Sequence, residues 1–272
     1  KYTQCYLINN QSNKNLWILG DSHARSLYLA GEQVANSLGM NLKLYTSGGT
    51  SFPPIVYYRK SFQDFDLKNI NNHKVLERKL YEQIKVGDVI LLSIRYPYYF
   101  GGSYFGSPSS AFRFIKEDKS FGTQEDAFNK WISSVKNLAN ISQKIGAKVI
   151  IQTPIPEWEK ENRSNEFCAI SKKQWFNSLQ KKDCKIKSEF FIDKKIGIHK
   201  DLFEKLNQLS SSHENIYLFN TYKIVCPGST CSFSMNGFDI YYDEDHISYE
   251  WAKDFLAPEI SKFINEIRTM EK

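Results

Sequence analysis

Five short, mainly apolar runs constrain the fold of this chain more than any other feature. They occupy residues 15–19, 42–46, 88–94, 147–153 and 215–220. Runs of this length without polar alternation are typical of strands that are covered on both faces, as in a parallel sheet. We therefore predict five strands in a central, mostly parallel sheet.

Segments with the spacing of amphipathic helices separate these runs. One of them places four apolar residues on a single face: Leu27, Ala30, Val34 and Leu38. A longer one spans about Thr123 to Ile145, and a last helix is expected to begin after Ser248 as its N-cap, with a kink at Pro258. This alternation predicts an α/β sandwich of three layers. The chain has no internal repeat and no convincing linker, so residues 1–272 are expected to form one domain.

The charge pattern excludes one class of partner. The chain carries a net charge of +6, but acidic and basic residues are interspersed, so no basic stripe is present that would bind nucleic acid. No apolar run reaches the roughly 18 to 20 residues of a membrane helix. The chain begins at Lys1 without a secretion leader, so we expect it to be a piece of a longer protein whose targeting or membrane part is missing. We also expect this fragment to be monomeric.

The five cysteines suggest an oxidising compartment. Cys226 and Cys231 flank a Pro-Gly turn that suits a short disulfide, and Cys168 and Cys184 flank a charged segment and are expected to pair as well. Reduced thiols and a zinc site are the alternatives, although no Cys-x-x-Cys motif supplies further ligands. Disulfides would indicate an exported domain, with Cys5 left over.

Two polar motifs lie near opposite ends of the chain. Gly20-Asp21-Ser22-His23 follows the first predicted strand, and Asp243 stands three residues before His246. Each has an ordinary explanation, a strand-to-helix turn for the first and a polar loop for the second. Both motifs are expected at the carboxyl edge of the sheet, where a carboxylate could orient a histidine base toward a serine nucleophile. Together they favour catalysis by an activated serine.

The order of these motifs resembles the SGNH hydrolase superfamily, the GDSL-like esterases, over nearly the whole chain. The GDSHA form, the CPGSTC turn and the Tyr-x-Asp-x-x-His-Ile-Ser context look most like the extracytoplasmic SGNH domain fused to acyltransferase-3 type membrane O-acyltransferases. The resemblance implies a flavodoxin-like α/β/α fold and a Ser-His-Asp triad. Ser22 would be the nucleophile, His246 the general base and Asp243 its orienting partner. Asp245 is a weaker rival for that last role, because adjacent side chains rarely meet.

The resemblance also implies an oxyanion hole. Its donors would be the backbone N–H of Ser22 and that of a glycine after the second predicted strand, for which Gly48 and Gly49 both remain open. The superfamily's Gly-x-Asn-Asp block is absent, and the corresponding stretch LLSIRYPYY offers Arg95 as a residue that lines the site. Loss of the Asn removes one donor, which is typically worth about 10²- to 10³-fold in rate.

Other residues carry weaker signals. We expect Asp21 to brace its turn by hydrogen bonds, and His23 to start the helix or form a wall of the site rather than act as a second base. The aromatic stretch 96–105, with Tyr96 and Tyr98, is either a sugar-stacking rim or a self-packed loop. Trp158 and Trp175 leave the same two alternatives open. Three histidines are expected at the surface: His73, His199 and His213.

The resemblance implies a serine-dependent O-acyltransferase that modifies a cell-surface or secreted glycan through an acyl-serine intermediate. Its partners would be the glycan acceptor and an acyl donor delivered by the membrane domain, and no cofactor or metal ion is expected. The domain would face the periplasm or the cell exterior, tethered to the membrane only through the missing part. A stand-alone carbohydrate esterase and a catalytically idle glycan-binding domain remain as alternatives.

Overall fold

The computed structural model describes residues 3–59, 63–100, 112–157, 185–187, 199–235, 238–243 and 245–270. Its strands are β1 Thr3–Ile8, β2 Asn15–Gly20, β3 Asn41–Ser47, β4 Tyr57–Arg59, β5 Val89–Ser93, β6 Phe112–Ile115, β7 Phe121–Gly122, β8 Lys148–Gln152, β9 Lys185–Lys187, β10 Ile216–Phe219, β11 Thr230–Ser232, β12 Ser234–Met235 and β13 Phe238–Asp239. Its helices are α1 Ser22–Ser26, α2 Tyr28–Ser37, α3 Gln63–Gln83, α4 Tyr96–Phe100, α5 Gln124–Ile145, α6 Lys200–Ser211, α7 Thr221–Val225, α8 Tyr249–Trp251 and α9 Ala257–Thr269. The predicted Cys168–Cys184 disulfide, Trp158, Trp175 and the end of the aromatic stretch lie outside the described residues.

The central sheet confirms the predicted fold class. Within the described residues it has six strands in the order β1-β3-β2-β5-β8-β10. The five strands from β3 to β10 are parallel, and their order is the flavodoxin-like one. All five predicted strands are therefore present. The order reverses between β2 and β5, so the segments that follow these two strands lie at the crevice where such sheets bind ligands.

The predicted strand count was one too low. The additional strand, β1, pairs antiparallel with β3 at the edge of the sheet, with Thr3 opposite Ser47. Its sequence TQCYLI mixes polar and apolar residues, and Leu7 is 62% exposed. An edge strand that is covered on only one side does not produce the continuous apolar run on which the prediction depended.

Helices cover both faces of the sheet. Successive residues of β2 alternate between the faces, so that Leu16 and Ile18 belong to one core cluster while Trp17 and Leu19 belong to the other. The first cluster includes apolar residues of α2 and α9, and the second includes those of α3, α5 and α6. This arrangement is the predicted three-layer sandwich.

The two long predicted helices begin where the sequence indicates. Thr123 caps α5 in a capping box with Asp126, and Gly146 ends it in the left-handed region with a φ of 87°. Ser248 caps α8 by accepting a hydrogen bond from the Trp251 amide at 3.3 Å. The irregularity expected at Pro258 takes the form of a π-helical turn, Ala252–Leu256, directly before α9. A wider turn accommodates a proline, which has no N–H to donate.

The expected surface positions of two histidines were wrong. His73 on α3 and His199 before α6 are buried, with exposed fractions of 1% and 0%. The ring of His73 contacts the carbonyl oxygen of Ser51 at 2.8 Å, and burial lowers the pKa of His73. The predicted Cys226–Cys231 disulfide is present after α7, and Cys5 is a free, exposed thiol. Among the described helices, none has the length and apolar character needed to cross a membrane.

Candidate active site

The turn that carries Ser22 is built around a close approach between two strands. Gly20 ends β2 opposite Ser93 of β5, and a Cβ atom at position 20 would lie 1.8 Å from the carbonyl oxygen of Ser93. Only glycine fits there. Asp21 then caps α1, and Ser22 is the first residue of that helix and is half-buried. Its backbone N–H, like others in a first turn, has no partner within the helix.

Asp21 fixes this turn with three hydrogen bonds. Its Oδ1 accepts from the His23 amide at 2.9 Å, and its Oδ2 accepts from the Arg95 amide at 3.0 Å and from the Tyr99 hydroxyl at 2.8 Å. The carboxylate is buried, with 2% of the residue exposed. The segments after β2 and β5 are thus tied together directly beside Ser22.

Asp243 and His246 form a close pair on the loop before α8. The Nδ1 of His246 lies 2.9 Å from both carboxylate oxygens of Asp243, whose Oδ1 also accepts from the His246 amide at 2.8 Å. A carboxylate only accepts, so Nδ1 carries the proton and Nε2 is left as the basic nitrogen. Among the described residues, buried Nε2 has no hydrogen-bond partner, so the link from His246 to Ser22 stays a prediction.

Charges around His246 make it more basic than an ordinary histidine. Burial disfavours the imidazolium, but the hydrogen bond that His246 donates to Asp243 and the negative charges of Asp245, Asp243 and Asp21 outweigh it, so the pKa of His246 is raised above its ordinary value of 6.5. The pKa of Asp243 is lowered, because the contacts with His246 and the Asp245 amide overcome the effect of burial.

A second group of ionisable side chains lies behind this pair, and sequence reasoning did not foresee it. The Nε2 of His23 lies 3.1 Å from Asp245, and the Nη1 of Arg95 lies 3.0 Å from the same carboxylate oxygen. Arg95 also donates to buried Glu157 from Nε and Nη2, at 2.8 and 3.1 Å. The signals available in the sequence were that His23 and Asp245 lie within the two motifs and that Arg95 and Glu157 follow strands.

This group raises the question of a metal ion. Ligand-type atoms of His23, Asp245 and His246 lie within 4.8 Å of one another. The guanidinium of Arg95 contacts the same carboxylate, so a positive charge already stands where a cation would bind. We therefore assign no metal ion to these residues.

The remaining predicted residues lie in different surroundings. Gly48 and Gly49 form the turn after β3, where Gly49 has a φ of 72° and a Cβ atom at Gly48 would meet nothing within 4 Å. Tyr98 is half-buried, with its ring 5.5 Å from the Arg95 guanidinium carbon. Tyr96 does not line a surface, because it is 1% exposed and packs edge-on against Trp131.

Comparison with known proteins gives the chain a family. The family model described as "SGNH domain (fused to AT3 domains)" matches residues 2–262. The chain belongs to this family. This match supports an acyl-transfer or ester-hydrolysis activity for the SGNH domain and an association with a membrane acyltransferase. No curated protein matches the sequence of this SGNH domain.

Solved structures support the fold. The periplasmic domain of a lipopolysaccharide acetyltransferase from Salmonella ser. Paratyphi A is 19% identical, with a TM-score of 0.59 over 92% of this SGNH domain and 83% of that chain. A Slackia heliotrinireducens protein assigned as an SGNH hydrolase is 12% identical, with a TM-score of 0.49 over 92% and 97% of the two chains. An acetyl xylan esterase is 13% identical, with a TM-score of 0.44 over 92% and 98%. The Salmonella domain, with its TM-score of 0.59, shares the fold of this SGNH domain.

Proposed function

We propose that this SGNH domain is a serine-dependent O-acyltransferase that modifies a glycan on the outer side of the membrane. Ser22 is the nucleophile, His246 the general base and Asp243 the residue that orients the base. The observation that carries the proposal is the contact of Asp243 with Nδ1 of His246 at 2.9 Å, which directs the basic Nε2 away from the carboxylate. His23, the neighbour of Ser22, has its ring 5.0 Å from that of His246.

The reaction would proceed in two steps through one intermediate. His246 Nε2 takes the proton of the Ser22 hydroxyl as the oxygen attacks the acyl carbonyl, and the same proton then goes to the leaving group. The backbone N–H groups of Ser22 and of Gly48 or Gly49 would stabilise the oxyanion. In the second step a sugar hydroxyl gives its proton to His246 Nε2 and attacks the acyl-serine. The ester bond to Ser22 Oγ breaks, the acyl group is transferred to the glycan, and the proton on His246 goes to the departing Ser22 oxygen. Water in place of the sugar would give hydrolysis.

The acceptor and location are inferred from the family. SGNH domains of this family are fused to AT3 domains, and the solved neighbour in Salmonella is the periplasmic domain of a lipopolysaccharide acetyltransferase. We infer that residues 1–272 act as a single extracytoplasmic domain that receives acyl groups from a membrane acyltransferase domain. A cell-surface polysaccharide is the acceptor class that fits this arrangement.

The nucleophile can be tested by ester hydrolysis and by trapping. The wild-type protein should hydrolyse p-nitrophenyl acetate and should react with an alkyl fluorophosphonate at Ser22, located by peptide mass spectrometry. Ser22→Ala and His246→Gln should abolish both reactions, whereas the control His213→Gln, at a histidine that contacts Asn140, should retain them. Full turnover by Ser22→Ala would refute the proposal, and the absence of turnover in the wild-type protein would favour the idle glycan-binding alternative.

Transfer and hydrolysis can be distinguished by an experiment that starts from the acyl-enzyme. Protein loaded from the aryl ester is mixed with acceptor oligosaccharide, and products are followed by mass spectrometry. A transferase should form acylated oligosaccharide at the expense of free acetate. Release of free acetate alone, at a rate independent of acceptor, would favour the stand-alone esterase.

A further inference from the structure

Asp245 brings a second carboxylate to the proposed base. Its Oδ1 lies 3.4 Å from Nδ1 of His246, the same nitrogen that contacts Asp243. Asp245 is the more deeply buried of the two, since its side chain is 8% exposed against 29% for Asp243. A buried carboxylate is costly unless positive charge and hydrogen bonds compensate it.

Two residues from distant parts of the chain provide that compensation. His23 from α1 and Arg95 from the segment after β5 both contact Oδ2 of Asp245, at 3.1 and 3.0 Å. The carboxylate can only accept, so the Nε2 of His23 carries the proton in this contact. With Oδ2 held by these two donors, Oδ1 is turned toward His246. The arrangement therefore fixes which oxygen of Asp245 faces the base.

We propose that Asp245 is a positioning residue for His246, and that His23 and Arg95 hold Asp245 in place. The inference rests on the proposed function, because its effect on rate requires His246 to act as the base. When Ser22 gives its proton to Nε2, the Ser22 O–H bond breaks, an N–H bond forms and the ring becomes an imidazolium. Two carboxylates then stabilise the positive charge, Asp243 on one side of Nδ1 and Asp245 on the other.

The sign of the effect depends on all the charges near the ring. Acidic groups outnumber basic ones there. The acidic groups are Asp243 and Asp245 on the loop of His246 itself, Asp21 in the turn after β2 and Glu157 after β8, and the basic groups are His23 and Arg95. Removing the charge of Asp245 takes a negative charge away from the ring of His246. It also removes one negative partner of Arg95, so the positive charge of Arg95 is less compensated. Both changes disfavour the imidazolium, so the pKa of His246 should fall in Asp245→Asn.

The first experiment measures that pKa directly and does not need activity. Protein with 13C-labelled histidine is titrated by NMR, and the His246 signal is assigned with His246→Gln. In Asp245→Asn the pKa of His246 should fall by about one unit. The control Asp118→Asn, in the exposed turn between β6 and β7, should leave it unchanged. An unchanged His246 pKa in folded Asp245→Asn would overturn the inference.

The second experiment uses rates. In Asp245→Asn the acidic limb of the kcat/KM profile should move to lower pH by the same amount, and kcat/KM at its plateau should fall about 10-fold. A merely structural role would lower the amount of folded protein without moving the limb. If Ser22→Ala is inactive and Asp245→Asn shows neither effect, the inference fails while the proposed function stands. If Ser22→Ala is fully active, the proposed function fails, and the NMR titration still decides whether Asp245 affects His246.

A pair of His23 variants tests the holding role. Glutamine places an N–H donor near the position of the imidazole Nε2, whereas leucine offers none. His23→Gln should retain most of kcat/KM, and His23→Leu should lose about 10-fold, with melting temperatures measured for both. Equal activity of two folded variants would show that the contact from His23 to Asp245 does not matter.

Discussion

The carboxylate of Asp21 offers the sharpest test of how the turn that carries Ser22 is held in place. Asparagine has the same shape but only one accepting oxygen, so in either orientation its NH₂ group faces at least one of the three donors. If the oxygen is kept toward Arg95 and Tyr99, the buried amide of His23 loses its acceptor, which costs about 1–3 kcal/mol. The two remaining bonds also weaken, since they lose a charged acceptor, while neutralising a buried carboxylate returns some free energy. We expect Asp21→Asn to lower the free energy of unfolding by about 2–3 kcal/mol, measured by urea denaturation.

A matched control is available in the exposed turn between β6 and β7. Asp118 accepts hydrogen bonds from the amide and the hydroxyl of Ser120, at 2.9 and 2.6 Å, but water can replace both. Asp118→Asn should therefore cost much less than Asp21→Asn. Tyr99→Phe removes one of the three donors, and its effect should not add to that of Asp21→Asn because the two residues share a hydrogen bond. Equal losses for Asp21→Asn and Asp118→Asn would refute the reasoning that burial makes this carboxylate important.

Further predictions concern the base, the disulfide and the glycine turn. Because the pKa of His246 is raised, kcat/KM for an aryl ester should rise with pH through a midpoint above 6.5. A midpoint below 6.5 would show that the neighbouring carboxylates do not raise the pKa of His246. Replacing Cys226 and Cys231 by serine opens a short loop and should cost about 2 kcal/mol in urea denaturation; full retention of stability would refute this. Gly49→Ala should lower the melting temperature because of its positive φ, whereas Gly48→Ala should leave it nearly unchanged; the opposite order would contradict the geometry of the turn.

The sequence was most informative where a signal is local. The five parallel strands of the central sheet are short, mainly apolar runs, and Thr123 and Ser248 cap helices by contacts within three residues. The helix α3 was not foreseen. Its sequence is largely polar, and over residues 71–83, the part whose burial is described, its buried apolar side chains are Leu76 and Leu80. Its burial of His73 depends on a contact with Ser51, 22 residues away, which no periodicity reveals.

At the candidate site, too, local contacts could be predicted from the sequence and long-range contacts could not. Asp243 and His246 are three residues apart, so their contact could be expected from the spacing alone. The contact of His23 with Asp245 joins residues 222 positions apart, and that of Arg95 with Glu157 joins residues 62 positions apart. Such pairs depend on which loops the completed sheet brings together. Adjacent side chains were expected not to meet, yet Asp245 approaches the ring of His246 because the turn brings both side chains to the same side.

The charged cluster of Arg95, Glu157 and Asp245 affects when the site can form during synthesis and folding. Arg95 and Glu157 can meet early, but Asp245 arrives only when the last segment of the chain has been made and α9 has packed onto the sheet. Contacts of such long sequence separation form late and slowly. Partly synthesised or partly folded chains would therefore contain Ser22 without the completed surroundings of His246, the proposed base. In refolding experiments, ester hydrolysis should return after the helical circular dichroism signal, so that a chain becomes reactive only once its architecture is complete.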